Sequence, residues 1–235
     1  MKRINLDKII TYVISISFIL TAFLATVHFC CFDENFYTKE HNNIMLYGKH
    51  INEHIGISNE ELKELTHFTL NYLNDSNASL DLQMNISGRQ REVFTLDEKA
   101  HMVDVRSLNL ASVYICVGSF IIFSLFIIYY LVSKKSIFYL FKNYKNSLLY
   151  SLGIFSILGM WILIDFDSFW TLFHRIFFSG NELWILNLKK DILIMIVPPE
   201  FFNHLVIRIV IIFICIIVLF GIMLYLLNRK KSTND

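Results

Sequence analysis

A histidine between two carboxylates is the clearest chemical feature of the sequence. Asp97, His101 and Asp104 occur at i, i+4 and i+7, a spacing that places all three on one face of an α-helix. A carboxylate beside an imidazole orients the ring and stabilises the imidazolium that forms when the ring accepts a proton. The pattern therefore predicts proton transfer at His101. The alternative is a charged helical surface that also includes Lys99 and Arg106.

A second histidine, His174, lies in a strongly aromatic segment. Trp170 precedes it by one helical turn, Phe178 follows it by one turn, and Arg175 is adjacent. A polar ring among apolar side chains needs a partner. His174 is therefore either a functional group or an interfacial histidine whose polar edge reaches water. If this segment folds over the helix that carries His101, the two imidazoles come to the same depth and can act as base and acid.

The other histidines are weaker candidates. His50 and His54 have a spacing that is found in metal sites, but no third acidic or sulfur ligand lies nearby, so a surface pair is favoured. His41 and His67 occur in polar segments. His28, near the end of an apolar stretch, could line the same site, although an interfacial packing role is favoured. The sequence has no Walker loop, nucleophile elbow or His-Glu-x-x-His motif. We expect no metal and no cofactor.

The composition indicates a membrane protein. Hydrophobic residues make up 55% of the 235 residues, charged residues make up 17%, and the mean hydropathy is +0.51, which is too apolar for a water-soluble surface. A net charge of +1 provides no general attraction for nucleic acid. The four cysteines lie within or at the ends of apolar stretches, so no disulfide framework is expected.

Four uncharged stretches have the length of about 20 residues that is needed to cross a hydrocarbon core. They cover residues 9–32, 107–133, 146–164 and 209–228. The first stretch exceeds the apolar length of a signal peptide and no convincing small-x-small cleavage site follows it, so we interpret it as an uncleaved anchor. The predicted fold is an α-helical integral membrane protein, a single membrane domain over residues 1–235 with four transmembrane helices.

Basic residues next to the predicted spans determine the orientation. Lysines and arginines cluster before the first span, between the second and third spans, and after the fourth span. The positive-inside rule places these segments, and therefore both termini, in the cytoplasm. Residues 33–106 and 165–208 contain every acidic residue except Asp7 and Asp235 and are the predicted outer loops. Polar chemistry is therefore expected at the extracytoplasmic face.

Patterns in the first outer loop predict part of an extracytoplasmic cap. Ser58 and Glu61 form a capping-box pattern, and apolar residues then recur at helical spacing as far as Leu73, which predicts an amphipathic helix. Residues 80–86 alternate between apolar and polar side chains and Gly88 marks a turn, so a short strand pair is expected there.

The parts of the outer loops next to the spans complete the predicted cap. A second capping pattern, Thr95 with Glu98, opens a stretch without Gly or Pro that continues into the second span, so this helix is predicted to begin outside the membrane. Residues 165–203 are as aromatic as the spans but are interrupted by charges. We expect them to form an interfacial aromatic helix.

These features resemble a known family. Five sequence elements carry the resemblance, in this order: EKAHMVDV at 98–105, FHRIFF at 173–178, Trp184, Asp191 and PEFF at 199–202. With the number of spans and the loop lengths, they resemble the four-span bacterial family of the lipoprotein intramolecular transacylase, Lit. One departure is Asn187-Leu188, where an Asp-Pro-like turn is expected, and it concerns local turn geometry.

The resemblance implies an acyltransferase without a cofactor in the bacterial plasma membrane. Such an enzyme moves the sn-2 fatty acyl chain of a diacylglyceryl lipoprotein to the α-amino group of that lipoprotein's N-terminal cysteine, which gives the lyso-form lipoprotein. The implied partners are diacylglyceryl-modified lipoproteins and membrane lipid. The resemblance also implies that His101 and His174 are the catalytic pair.

Chemistry suggests a role for each residue near this pair. An α-amino group with a pKa of about 8 must lose a proton before it attacks an ester, and the departing glycerol oxygen needs a proton. We expect His101 to be the base, because Asp97 or Asp104 can support its imidazolium, and His174 to be the acid or oxyanion donor. Two further sets of residues are expected to assist: the cations Arg106 and Arg175 by holding the oxyanion or a substrate carbonyl, and the aromatic residues Trp170, Phe178 and Trp184 by binding the substrate.

The alternative function is not enzymatic. A four-span scaffold or assembly factor could bind a partner through its outer loop, and the histidines would then be incidental. A transporter is disfavoured, because the predicted spans contain no internal charged residue that could serve as an ion or substrate relay.

Overall fold

The computed structural model describes residues 6–232, with side chains as far as Lys230. The elements in chain order are α1 (Leu6–Cys31), α2 (Glu34–Asn43), β1 (Met45–Leu46), β2 (Lys49–His50), α3 (Ile51–Ile55), α4 (Asn59–Asn74), β3 (Gln83–Ile86), β4 (Arg89–Glu92), α5 (Leu96–Val132), α6 (Ile137–Ile164), α7 (Phe166–Phe177), α8 (Ile192–Ile196) and α9 (Pro199–Ser232). Within this part of the chain, the four helices α1, α5, α6 and α9 are long and apolar enough to cross a membrane. The predicted helical membrane fold is confirmed.

The four apolar stretches are parts of longer helices. α5 begins at Leu96, directly after the predicted capping residue Thr95, and not at the start of its apolar stretch. α6 begins at Ile137 and α9 at Pro199, well before the uncharged residues that indicated them. Polar flanking residues continue a helix readily, and proline suits the first helical position because its missing N–H has no partner there.

Two compact units make up the chain, and we call them the bundle unit and the cap unit. The described residues of the bundle unit lie up to His28, in Ser112–Trp161 and from Ile207 onward. The cap unit comprises Phe29–Ala111 and Ile162–Val206. The first turns of α5 and α9 therefore belong to the cap unit, and the remaining parts of both helices belong to the bundle unit.

Aromatic packing fills the interior of the bundle unit. The rings of Phe18 and Phe220 stack at a centroid distance of 3.9 Å, and the ring of Tyr144 contacts both. The hydroxyl of Tyr144 donates to the carbonyl oxygen of Ile217 at 2.6 Å, which satisfies a polar group that would be costly to bury unpaired. Apolar side chains such as Ile157 point outward, as expected of helices surrounded by lipid.

The amphipathic helix of the cap unit has the predicted N-terminal cap. Glu61 accepts a hydrogen bond from the backbone N–H of Ser58 at 2.7 Å, and the hydroxyl of Ser58 accepts from the N–H of Glu61 at 3.2 Å. The resulting helix is α4, which buries the face that carries Leu62, Leu65 and Tyr72. The capping-box prediction is confirmed.

Two antiparallel hairpins flank α4 in the sequence. β3 pairs with β4 in a register that places Ile86 opposite Arg89. Ser87 and Gly88 between them have φ values of 52° and 81°, the left-handed conformation that both central residues of a type I′ hairpin turn require. The predicted strand pair is confirmed, although the strand covers only the second half of the alternating segment. The β1–β2 hairpin was not predicted.

The aromatic second loop forms a helix at its start. The carboxylate of Asp165 caps α7 by accepting from the N–H of Ser168 at 3.0 Å. Irregular turns follow α7, and the short helix α8 then precedes α9. An aromatic helix was predicted in this loop, whereas α8 was not.

Candidate active site

His101 and His174 lie side by side in the cap unit. His101 is on the second turn of α5, His174 is near the C-terminal end of α7, and each is only 6% exposed. Their ring centroids are 6.1 Å apart and their planes are inclined by 30°. The predicted convergence of the two imidazoles is therefore confirmed. One small reacting group can contact both rings, as acid and base catalysis on one substrate requires.

A hydrogen bond within α7 orients His174. Its Nδ1 atom lies 2.8 Å from the carbonyl oxygen of Trp170. Because a carbonyl oxygen can only accept, Nδ1 carries a proton, and Nε2 of the neutral ring has a lone pair. Burial lowers the pKa of His174 below its ordinary value, and the Trp170 carbonyl partly opposes this effect. His174 is therefore neutral near pH 7 and presents a nitrogen that can accept a proton.

His101 is a buried residue in an otherwise charged part of α5. This part of the helix precedes the uncharged residues 107–133. Burial and the nearby His174 ring lower the pKa of His101 to about 4, although the Asp104 carboxylate acts in the opposite direction. Within residues 6–232, its buried Nδ1 atom has no hydrogen-bond partner. Such an atom costs about 1–3 kcal/mol and calls for an explanation, which a bound substrate group would supply.

Aromatic rings surround the two imidazoles. Trp184 lies 5.0 Å from the His174 ring at an angle of 31°, so that it presents much of its face, and Trp170 contacts the same ring edge-on at 4.7 Å. Phe178 contacts both histidines, at 5.1 Å from His101 and 5.5 Å from His174. The structure therefore brings together all three aromatic residues that were expected to bind the substrate.

An apolar cavity of about 190 Å³ lies beside the two histidines. Its walls combine the imidazoles, Trp170 and Trp184 with aliphatic side chains of α4, α8 and α9. An apolar cavity of about 150 Å³ is large enough for benzene, so this cavity can enclose an ester group and the first part of an acyl chain. Apolar walls also keep water away from a reactive carbonyl.

The two predicted supporting carboxylates have different positions. Asp97 is exposed at the start of α5. Asp104 accepts a hydrogen bond from the Asn181 side chain at 2.9 Å and is close enough to affect the pKa of His101. The electrostatic support that was expected for His101 therefore comes from Asp104.

The two predicted cations do not line the cavity. Arg106 donates to the carbonyl oxygens of Asp75 at 3.3 Å and Ala78 at 2.9 Å, and its guanidinium lies 4.3 Å from the centroid of the Tyr72 ring. Arg175 is exposed on α7. Arg106 thus fastens the segment that follows α4 to α5.

The turn at the unusual Asn187-Leu188 pair is well ordered by hydrogen bonds. The Asn187 side-chain oxygen accepts from the N–H of Lys189 at 2.9 Å, and Asp191 accepts from the N–H of Asn187 at 2.7 Å. Asparagine favours such turns because its side chain can bond to the backbone two residues on. Asp191 then leads directly into α8, whose side chains line the cavity.

Two residues that hold α8 were not predicted. Glu98 is fully buried, and one of its carboxylate oxygens accepts from the backbone N–H of Leu193 at 2.7 Å. His41 donates through Nε2 to the carbonyl oxygen of Ile196 at 2.9 Å. The capping pattern identified Glu98 as a helix start, but no local signal could reveal a contact with a residue so distant in the sequence.

The arrangement offers imidazoles and aromatic rings rather than a metal centre. Among the described residues, no group of three or more His, Cys, Asp or Glu side chains could hold a metal ion. The four cysteines are free thiols.

Fold and site together define an integral membrane protein with a buried histidine pair beside an apolar cavity. The sequence profile of the family described as lipoprotein intramolecular transacylase Lit matches residues 12–202. The chain belongs to this family. No curated protein matches the chain significantly.

Solved structures of a Bacillus cereus protein have the same fold. The membrane integral lipoprotein intramolecular transacylase Lit from Bacillus cereus superimposes with a TM-score of 0.80 at 21% sequence identity, over 98% of this chain and 99% of that chain. Two variants of that protein, in which a histidine is replaced by arginine or by alanine, match with TM-scores of 0.74 and 0.71, each at 20% identity and over 98% of this chain. They cover 95% and 96% of the variant chains.

Proposed function

We propose that this chain is an acyltransferase that moves the sn-2 acyl chain of a diacylglyceryl lipoprotein to the α-amino group of the same lipoprotein's N-terminal cysteine. Membership of the Lit family supports intramolecular transacylation of lipoproteins as the reaction class. The observation that carries the proposal is the pair of buried imidazoles, 6.1 Å apart, at an apolar cavity that can enclose an ester.

The reaction exchanges an ester for an amide with no other reactant. The neutral amine attacks the ester carbonyl, a C–N bond forms, and the attached nitrogen loses a proton. The tetrahedral intermediate then breaks its C–O bond, and the glycerol oxygen takes up a proton. One residue that accepts the first proton can therefore supply the second.

Hydrogen bonding favours His174 as that residue. Its Nε2 atom has the lone pair, and the Trp170 carbonyl stabilises the imidazolium because it accepts from Nδ1. The face of Trp184 also stabilises a cationic ring. This assignment reverses the roles expected from the sequence, in which the carboxylates beside His101 favoured it as the base.

His101 suits the other role, stabilisation of the oxyanion. With its pKa lowered to about 4, the ring is a weak base and stays neutral at physiological pH. A neutral imidazole retains one N–H group, which can donate a hydrogen bond to a carbonyl oxygen as negative charge develops on it. A polar group of the substrate can form a hydrogen bond with its buried Nδ1 atom.

Holding the amine and the ester together in one site is a second cause of the rate acceleration. Well-oriented intramolecular groups reach effective molarities of about 10⁵ M or more, so transfer to the amine can exceed hydrolysis by water. The aromatic and aliphatic walls of the cavity increase this advantage by limiting access of water to the carbonyl.

A labelled synthetic substrate tests the proposed reaction. A diacylglyceryl lipopeptide with a deuterated sn-2 chain is incubated with the purified protein in lipid nanodiscs, and the products are analysed by tandem mass spectrometry. We expect the label on the cysteine α-nitrogen and a lyso-glyceryl group on the sulfur. The N-acetylated lipopeptide should remain unchanged. A product of the first substrate that lacks the deuterated acyl chain on its α-nitrogen would contradict the proposal. Recovery of the first lipopeptide unmodified would favour the scaffold function.

A further inference from the structure

Glu98 is a fully buried carboxylate with a partner on each oxygen. One oxygen accepts from the backbone N–H of Thr95 at 2.7 Å, and the other accepts from the backbone N–H of Leu193 at 2.7 Å. The first contact completes the N-terminal cap of α5, together with the Glu98 N–H that donates to the Thr95 hydroxyl at 3.3 Å. The second contact joins α5 to α8, two elements that are far apart in the sequence.

Each contact needs an acceptor oxygen at the end of the side chain. A buried negative charge is costly unless hydrogen bonds compensate it, and here two backbone N–H groups and the N-terminal end of α5 do so. Glutamine has nearly the same shape but only one acceptor oxygen. Its amide nitrogen would face a backbone N–H, so one buried donor would lose its partner.

The link lies next to the proposed chemistry. Glu98 precedes His101 by three residues on α5, so both side chains lie on neighbouring parts of one helix face. Leu193 and Ile196 on α8 line the same cavity as His101. The hydrogen bond of His41 to the carbonyl of Ile196 holds the other end of α8. α8 is thus fixed at both ends as a cavity wall.

We propose that Glu98 is a positioning residue, which holds the α8 wall at a fixed distance from His101 and so sets where the ester carbonyl lies relative to the two imidazoles. This inference rests on the proposed function. Glu98 does not touch the reacting atoms, so its effect should be on kcat more than on KM, because a misplaced reacting group slows the chemistry without preventing binding.

Glu98→Gln and Glu61→Gln form a matched pair for the test. Both residues complete capping boxes at helix starts, but only Glu98 also bonds to α8. We expect E98Q to lower kcat on the diacylglyceryl lipopeptide by about 10²-fold, the typical effect of a displacement of about 1 Å, with KM changed less than about threefold. E61Q should retain the kcat of the unaltered protein. Equal kcat values for the two variants would overturn the proposal.

Hydrogen exchange separates this inference from the proposed function. In nanodiscs without substrate, the amides of α8 should exchange faster in E98Q than in E61Q, because the Leu193 N–H has lost its acceptor. If the unaltered protein showed no transacylation, the proposed function would fail while this measurement would still decide the role of Glu98. Equal exchange rates for α8 in E98Q and E61Q would overturn the proposal that Glu98 positions α8. If E98Q failed to fold, Glu98→Asp, which keeps the charge but shortens the reach, should show the same two effects.

Discussion

At the scale of single residues, His101 should resist protonation. The pKa of His101 is lowered to about 4 from 6.5, so its ring should remain neutral near pH 5, where an ordinary histidine is charged. The unfolded chain then takes up a proton before the folded protein does. His101 therefore destabilises the folded state progressively as the pH falls from 6.5 towards 4, and has no such effect above 6.5.

Nitrogen NMR of ¹⁵N-histidine-labelled protein in nanodiscs measures this directly. The signal that disappears in His101→Gln is assigned to His101, and its titration midpoint should lie near 4. A midpoint at or above 6.5 would show that the ring is charged more easily than its buried position allows, and the assignment of His101 as a neutral donor would be wrong.

Trp184 should contribute to catalysis through the face of its ring. Its centroid lies 5.0 Å from that of His174, and a cation over an aromatic face gains up to about 2 kcal/mol where water is excluded. Trp184→Leu keeps an apolar wall but removes this interaction, so kcat should fall by about tenfold, and Trp184→Phe should lose less. Steady-state kinetics on the lipopeptide compare the two variants. Equal kcat values would assign Trp184 to packing alone.

At the scale of elements, Arg106 should stabilise the fold of the cap unit without contributing to catalysis. It bonds to two backbone carbonyls after α4 and lies over the ring of Tyr72. Arg106→Ala should lower the free energy of unfolding by about 1–3 kcal/mol, because the charge-assisted hydrogen bonds and ring contact are lost. Thermal unfolding and kcat are measured together. A lower kcat without a change in stability would contradict this role and support the oxyanion role that the sequence suggested for Arg106.

Local patterns predicted the elements well and the contacts between them poorly. Ser58 with Glu61, and the Ser87–Gly88 turn, depend on residues a few positions apart, so the sequence alone identified that cap and turn. The link from Glu98 to Leu193 joins residues 95 positions apart, and no periodicity records such a contact. The preference for His174 as the base likewise depends on a ring orientation that only the structure shows.

At the scale of the whole molecule, the distribution of basic residues predicts the orientation in the membrane. Ser76 and Ser136 are both exposed and lie in segments predicted to face opposite sides. In a background where serine replaces the four cysteines, Ser76→Cys should react with a membrane-impermeant maleimide on intact cells, and Ser136→Cys should react only after lysis. Labelling in the reverse order would invert the predicted topology and place the proposed active site in the cytoplasm.

Catalysis by the histidine pair is the central claim, and single substitutions test it most directly. The measurement is the rate of transfer of the deuterated acyl chain to the lipopeptide nitrogen by His101→Ala and His174→Ala. His67→Ala is the matched control, because His67 is exposed and bonds to Glu34 and Asn71 on the surface.

Each catalytic substitution should lower the rate by about 10² to 10⁴-fold, a range that covers the loss of a general base at His174 and the loss of an oxyanion donor at His101. Insertion and thermal unfolding should stay close to those of the unaltered protein. The His67 variant should retain the full rate. Losses below about tenfold in both catalytic variants would contradict the claim and assign the chemistry to other groups.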